Sequence, residues 1–206
     1  KYSELNYENL DLLDTGDFIE INGNVFKTQR GEKSIDSKKI RILTKSLRPM
    51  PDTWDGLKDK ETRLRRRYLD TTINREVYER FVRRAKFWEA TRIFLRNKGF
   101  LEINVPVLEQ IPGGADANPF ITHMDAIDQD FYLRISHELQ LKRLIGGGYE
   151  KVYEIGPRFR NEGLSDEHLP EHMAMEFYWA YASWTEGMDM IKEMFNFIIE
   201  YVYGDK

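Results

Sequence analysis

The chain has 206 residues, 41% of them hydrophobic and 32% charged, with 12 Phe, 11 Tyr and 4 Trp, a composition that excludes a disordered chain. It holds no cysteine, which excludes disulfides, thiolate metal sites and thiol nucleophiles and fits a reducing cytoplasm; no membrane-length apolar run is present, nor does Lys1–Leu10 carry the apolar core of a signal peptide. The net charge of −4 argues against a long surface for gripping nucleic acid but permits a local basic face.

Residues 1–47 read as β. Phe18-Ile19-Glu20-Ile21 and Val25-Phe26-Lys27-Thr28 are strand-like runs, with Asn22-Gly23-Asn24 expected as a turn between them, and Gln29-Arg30-Gly31-Glu32 as a second turn. Lys39-Ile40-Arg41-Ile42 alternates polar and apolar residues, as a half-buried strand does. Pro49, Pro51 and Gly56 punctuate a polar linker over 48–62. The cluster Arg63-Leu64-Arg65-Arg66-Arg67 follows, either a solvated helix face at a domain edge or a tRNA or phosphate contact.

Residues 75–98 are expected to form a helix with Val77, Phe81, Ala85, Trp88 and Leu95 on one stripe and Gly99 as its C-terminal cap. Phe100–Val105 switches to a period of two and should be a strand ended by Pro106. Phe131–Ile135 reads as a strand, and Glu138–Ile145 as a short helix stopped by Gly146-Gly147-Gly148. Lys151–Ile155 and Met173–Ala182 read as two strands around a polar loop, and 185–203 as an amphipathic helix. Antiparallel hairpins mixed with helices indicate an α+β fold.

The densest group of chemical candidates lies around that last loop. Glu176 and Tyr178 are two apart in a strand and share a face, which makes them either a pocket wall or the wet side of an edge strand.

Phe159-Arg160-Asn161-Glu162, His168 and Glu176-Phe177-Tyr178 together resemble motif 2 of the class II aminoacyl-tRNA synthetases. The helix ending at Gly99, with Phe100-Leu101-Glu102-Ile103-Asn104-Val105-Pro106, resembles motif 1. Ile111-Pro112-Gly113-Gly114-Ala115 and the run from Leu133 to Leu144 look like the lysyl enzymes among them. The resemblance implies an antiparallel synthetase sheet flanked by helices and preceded by part of a β-barrel of the OB-fold type. It divides the chain into a partial anticodon-binding domain (1–47), a linker (48–62) and the N-terminal part of a catalytic domain (63–206). It implies lysine, ATP with magnesium, and tRNA(Lys) as partners, no membrane, a cytoplasmic location, and a homodimer through the motif 1 region around 85–106.

The resemblance also assigns residues. Arg160 corresponds to the catalytic arginine bridging the α-phosphate of ATP and the amino-acid carboxylate, a task that suits a planar guanidinium. Glu162, His168 and His172 fall on ATP-binding positions, the last where a phenylalanine usually stacks on adenine. Glu138, with the Gly114 backbone, corresponds to the ligand of the lysine α-amino group, and Glu176 and Tyr178 to the pair that takes the ε-ammonium. Glu32, in the loop after Thr28, is a candidate anticodon contact or simply an exposed loop acid. Glu167 stands where an arginine is expected, and motif 3, with its phosphate arginine and metal-holding acids, is absent. The expectation is therefore a fragment that activates lysine weakly or not at all by itself, with no metal ligands of its own. Two other readings remain: a non-catalytic synthetase-like interaction module, and a protein-lysylating paralogue, against which the barrel-like stretch 16–48 counts.

Overall fold

The computed structural model describes residues 4–5, 7–48, 50, 57–165 and 167–204; the linker residues Pro49, Pro51 and Gly56 and the loop residue Asp166 lie outside them. The chain divides into two compact units, Lys1–Arg80 and Phe81–Lys206.

In the first unit, β1 (Glu4–Leu5), β2 (Phe18–Lys27) and β3 (Lys33–Thr44) form an antiparallel sheet in the order β1-β3-β2. The expected turn at Asn22–Asn24 does not form, because β2 runs straight through it. Its register against β3 shifts between Asn22 and Gly23, which pair with Lys39 and Ser37, so Lys38 is the extra residue of a bulge. A Cβ on Gly23 would stand 2.1 Å from the Asp36 carbonyl oxygen, so glycine here serves a close backbone approach. The reversal comes at Thr28–Glu32, with Gly31 at a φ of 85°.

Two short helices follow, α1 (Lys60–Arg65), whose first turn is capped by the Asp59 side chain accepting from the Thr62 N–H at 2.7 Å, and α2 (Arg67–Ile73). They explain two members of the arginine cluster. Asp70 is fully buried and accepts from Arg63 Nε at 2.9 Å, Arg67 Nη1 at 2.5 Å and Asn74 Nδ2 at 2.6 Å. Burial pushes its carboxyl up, and the three donors outweigh that and hold it below the usual range. Arg63 and Arg67 therefore close a buried carboxylate, while Arg65 is exposed and pairs with Glu61 one turn back.

Helix α3 (Arg75–Asn97) carries the chain into the second unit and ends at Gly99, which has a φ of 83° and donates to the Arg96 carbonyl at 3.0 Å. The expected stripe is only half right. Val77 and Leu95 are buried and Trp88 partly so, but Phe81 is 43% exposed and Ala85 is exposed; the buried face turns through Ala90, Thr91, Phe94 and Leu95. The strand expected over Phe100–Val105 shrinks to β4 (Leu101–Glu102), parallel to β8 (Lys151–Phe159), with Ile103 N–H still reaching the Tyr153 carbonyl. Past that point the backbone serves other partners, since the Val105 carbonyl accepts from Arg134. Strands β5 (Leu108–Glu109), β6 (Ile121–Met124) and β7 (Gln129–Leu133) form a second small sheet in the order β5-β7-β6. Helix α4 (Glu138–Gly146) leads to β8, which continues through Gly156-Pro157 instead of stopping at Ile155. β9 (Glu171–Trp179) pairs antiparallel along the whole of β8. Helix α5 (Trp184–Tyr203) opens with a capping box between Ser183 and Glu186.

The core of this unit joins Phe94, Leu95 and Phe100 to Tyr153 and Ile155 of β8 and to Met190, Met194 and Ile198 of α5. Phe100 meets Phe177 and Trp179 edge to face. Successive strand residues point to opposite faces, so Tyr153, Ile155, Met175, Phe177 and Trp179 pack into this core and the even-numbered positions line the other side.

Candidate active site

The even face of β8 and β9 carries the chemistry. Cross-strand partners there are Val152 with Tyr178, Glu154 with Glu176, Gly156 with Ala174, and Arg158 with His172. Arg160 continues the same parity just past β8, its N–H still pairing with the Pro170 carbonyl at 2.9 Å. Its Nε is buried with no hydrogen-bond partner among the described residues, an orphaned donor on a cation.

The segment Arg134–His137 lies across this face and organises it. Arg134, buried to 1% exposure, donates from Nη1 to Glu154 at 2.8 Å and to the Val105 carbonyl at 3.1 Å, and from Nε to the Pro157 carbonyl at 2.8 Å. Gly156 makes room for it, since a Cβ there would lie 2.3 Å from Arg134 Nη2. His137 is fully buried; its backbone N–H donates to Glu176 Oε1 at 3.1 Å, and its Nδ1 is 3.4 Å from the same oxygen.

Glu176 is the focus of the face. Burial pushes its carboxyl up, but the hydrogen bonds from His137 and the charges of His137 and Arg158 outweigh this and hold it below the usual range. The Tyr178 hydroxyl also hydrogen-bonds it, and Arg158 Nη1 is 3.9 Å away. Beside it the Tyr178 hydroxyl is pushed up strongly, by burial first and then by the charges of Glu176 and Glu138. That second cause brings Glu138 of α4 into the same group. Glu138 lies in the first turn of α4, where the helix dipole favours an acid, and pairs with Lys142 at 2.5 Å one turn on. Gly114 comes up against it, with a φ of 85°, where a Cβ would stand 2.2 Å from Ser136 Oγ and 2.6 Å from Glu138 Cβ.

Gly114, Glu138, Glu176, Tyr178, Arg160 and His172 are thus brought together on or beside one face. Glu162 and His168 are not part of its hydrogen-bond network. Both are exposed in the loop after β8, where His168 Nδ1 meets Ser165 Oγ at 2.7 Å and that oxygen also accepts from the Glu167 and His168 N–H groups. Glu32 belongs to the other unit, exposed at the end of the β2–β3 turn. Arg134, His137, Glu154 and Arg158 were not anticipated. Extending the period-two pattern from Val152 through Gly156 would have placed Glu154 and Arg158 on this face.

The arrangement presents carboxylates at one end, suited to an ammonium, and guanidinium groups near Arg160, suited to phosphate or carboxylate oxygens. No group of three or more His, Asp or Glu side chains that could hold a metal occurs among the described residues. No helix among them is long and apolar enough to cross a membrane.

Residues 59–206 match the family model described as tRNA synthetases class II (D, K and N). Curated relatives include the lysine–tRNA ligases of Pelotomaculum thermopropionicum, 52% identical over 190 residues, of Moorella thermoacetica, 50% over 198, and of Thermosipho africanus, 49% over 189. These alignments cover 92%, 96% and 92% of this chain, but 38%, 40% and 38% of the respective relatives, so the chain spans about two fifths of their length. With a class II model matched over most of its length, and a mixed fold with antiparallel sheets consistent with it, the chain belongs to the class II tRNA synthetases of the D, K and N group.

Proposed function

We propose that this chain is part of a lysine–tRNA ligase, which activates lysine with ATP and transfers it to tRNA(Lys). The observation that carries the reading is the gathering of Glu138, Glu176 and Tyr178 beside a face that ends at Arg160. Within the D, K and N group the charge of the substrate side chain discriminates. Glu176, set at the side-chain end of the site, attracts an ammonium, repels aspartate, and offers a neutral asparagine no counter-charge.

In the activation step a lysine carboxylate oxygen bonds to the α-phosphorus of ATP, the bond from that phosphorus to the bridging oxygen of the β-phosphate breaks, and pyrophosphate leaves. In the transfer step a ribose hydroxyl of tRNA attacks the lysyl carbonyl and AMP leaves. The protein supplies alignment and fixed positive charge rather than a nucleophile. Arg160, with its buried unpartnered Nε, neutralises the carboxylate and α-phosphate as they meet. Glu138 and the Gly114 backbone hold the α-amino group, and Glu176 and Tyr178 hold the ε-ammonium. His172 sits on the nucleotide side of the face, and Glu162 and His168 reach ATP from the loop. Residues 1–47 are the barrel-type domain that meets the anticodon, with Glu32 at its turn, and 63–206 form the start of the catalytic domain after the linker. The protein works in the cytoplasm as a dimer through the region around 85–106, and residues outside this chain complete the metal and phosphate sites.

ATP–pyrophosphate exchange with the full-length protein tests the reading. Exchange should depend on lysine and be absent with aspartate or asparagine, whereas exchange driven equally by aspartate would overturn it. The 206-residue chain alone should exchange far more slowly.

A further inference from the structure

One cation of the polar face has no task in that scheme. The Arg158 side chain is 27% exposed, donates its Nε–H to His172 Nε2 at 2.7 Å, and holds Nη1 3.9 Å from Glu176 Oε1. His172 must be neutral to accept this bond. Burial and the positive charge of Arg158 both push its imidazole below the ordinary histidine range, and a hydrogen bond to the Leu169 backbone engages the ring as well. Arg158 thus lies between a neutral acceptor and a carboxylate.

We propose that His172 is a positioning residue for the amino-acid site: by taking the Arg158 Nε–H it holds that guanidinium away from full engagement with Glu176, leaving the carboxylate free for the ε-ammonium of lysine. The inference rests on the assignment of Glu176 to that ammonium. Its physical basis is competition between two cations for one anion. A guanidinium already 3.9 Å away needs only a small swing to make a direct charge-assisted pair, which is far stronger than the present contact. Once made, that pair would place a fixed positive charge where the substrate's ammonium must enter. The bond to His172 opposes the swing. The chain has its own substitute for the substrate charge, and one imidazole nitrogen keeps it out of the site.

The test uses the full-length protein, with lysine and a non-hydrolysable ATP analogue titrated separately by calorimetry. His172→Phe supplies the ring usually found at this adenine-stacking position, so nucleotide binding is kept, and it removes the acceptor. Lysine affinity should fall about tenfold, without a matching fall for the ATP analogue. Arg158→Gln in the His172→Phe background should restore lysine affinity to within about threefold of the parent. Arg158→Gln alone should not weaken lysine binding, and this variant serves even if His172→Phe folds poorly. Unchanged lysine affinity in His172→Phe, equal loss of both ligands, no rescue in the double variant, or a tenfold loss in Arg158→Gln would each overturn the inference. A parent protein that binds no lysine would overturn the assignment of Glu176 itself, and the inference with it.

Discussion

Two acids of this chain, Asp70 in the first unit and Glu176 in the second, are both held ionised below their ordinary range, yet they are built differently. Asp70 has three side-chain donors at 2.5–2.9 Å and is fully buried. Its acceptor capacity is used within the fold. Glu176 has one backbone N–H at 3.1 Å, an imidazole nitrogen at 3.4 Å, the hydroxyl of Tyr178 and a guanidinium at 3.9 Å. The first geometry is closed and the second is polarised but unsaturated. A lowered pKa alone does not separate a structural acid from a binding one; the tightness of the contacts does.

The largest effect is expected at Arg160, at the end of the polar face that carries Glu176. Arg160→Ala should cut lysine-dependent exchange about 10³-fold while leaving the melting temperature unchanged, because its backbone N–H, which pairs with Pro170, is kept. A large loss of stability would make Arg160 a structural arginine like Arg63 and Arg67. Next, Glu176→Gln should weaken lysine binding about 100-fold with little change in unfolding, measured by calorimetry on the same protein. Asp70→Asn should do the reverse. Two arginines lose their counter-charge, at a cost of ~2 kcal/mol, below that of a wholly buried pair because Arg63 and Arg67 are about a third exposed. Its lysine affinity should match the parent's.

The smallest effect is one of pH. The folded-state carboxyl of Asp70 lies below its ordinary value of 3.8, so the stability it contributes is fully present above 3.8 and is lost as pH falls through the lower folded value. The stability gap between parent and Asp70→Asn should therefore close only below pH 3.8. Glu176, lowered from 4.5, should likewise keep its charge above pH 4.5, so lysine affinity should show no step between pH 7 and 5 that this acid causes. A step there, abolished in Glu176→Gln, would show that the unsaturated carboxylate is neutral more readily than its contacts imply.

Local chemistry made much of the second unit readable. Gly99 closes α3 through a positive φ, Gly146–Gly148 end α4, and Ser183 with Glu186 starts α5; each is set by neighbours within one turn. Asn22-Gly23 misled because the same residues that favour a turn also suit a bulge, and only the opposing strand, with Asp36 pressed against Gly23, chooses between them. Phe100–Val105 misled because alternation says nothing about how long a partner strand stays in reach.

The sequence by itself determined the family motifs, the three longer helices with the glycine stops of the first two, and the placing of Glu176 and Tyr178 on one face, since all of these depend on spacing along the chain. Only the tertiary structure decided that Arg63 and Arg67 serve Asp70, that Arg134 and His137 hold the polar face, and that Arg158 stands between His172 and Glu176. Those contacts cross between residues up to 39 positions apart. Where a charge finds its partner depends on which segments the fold lays together, and residue type and local spacing do not carry that information.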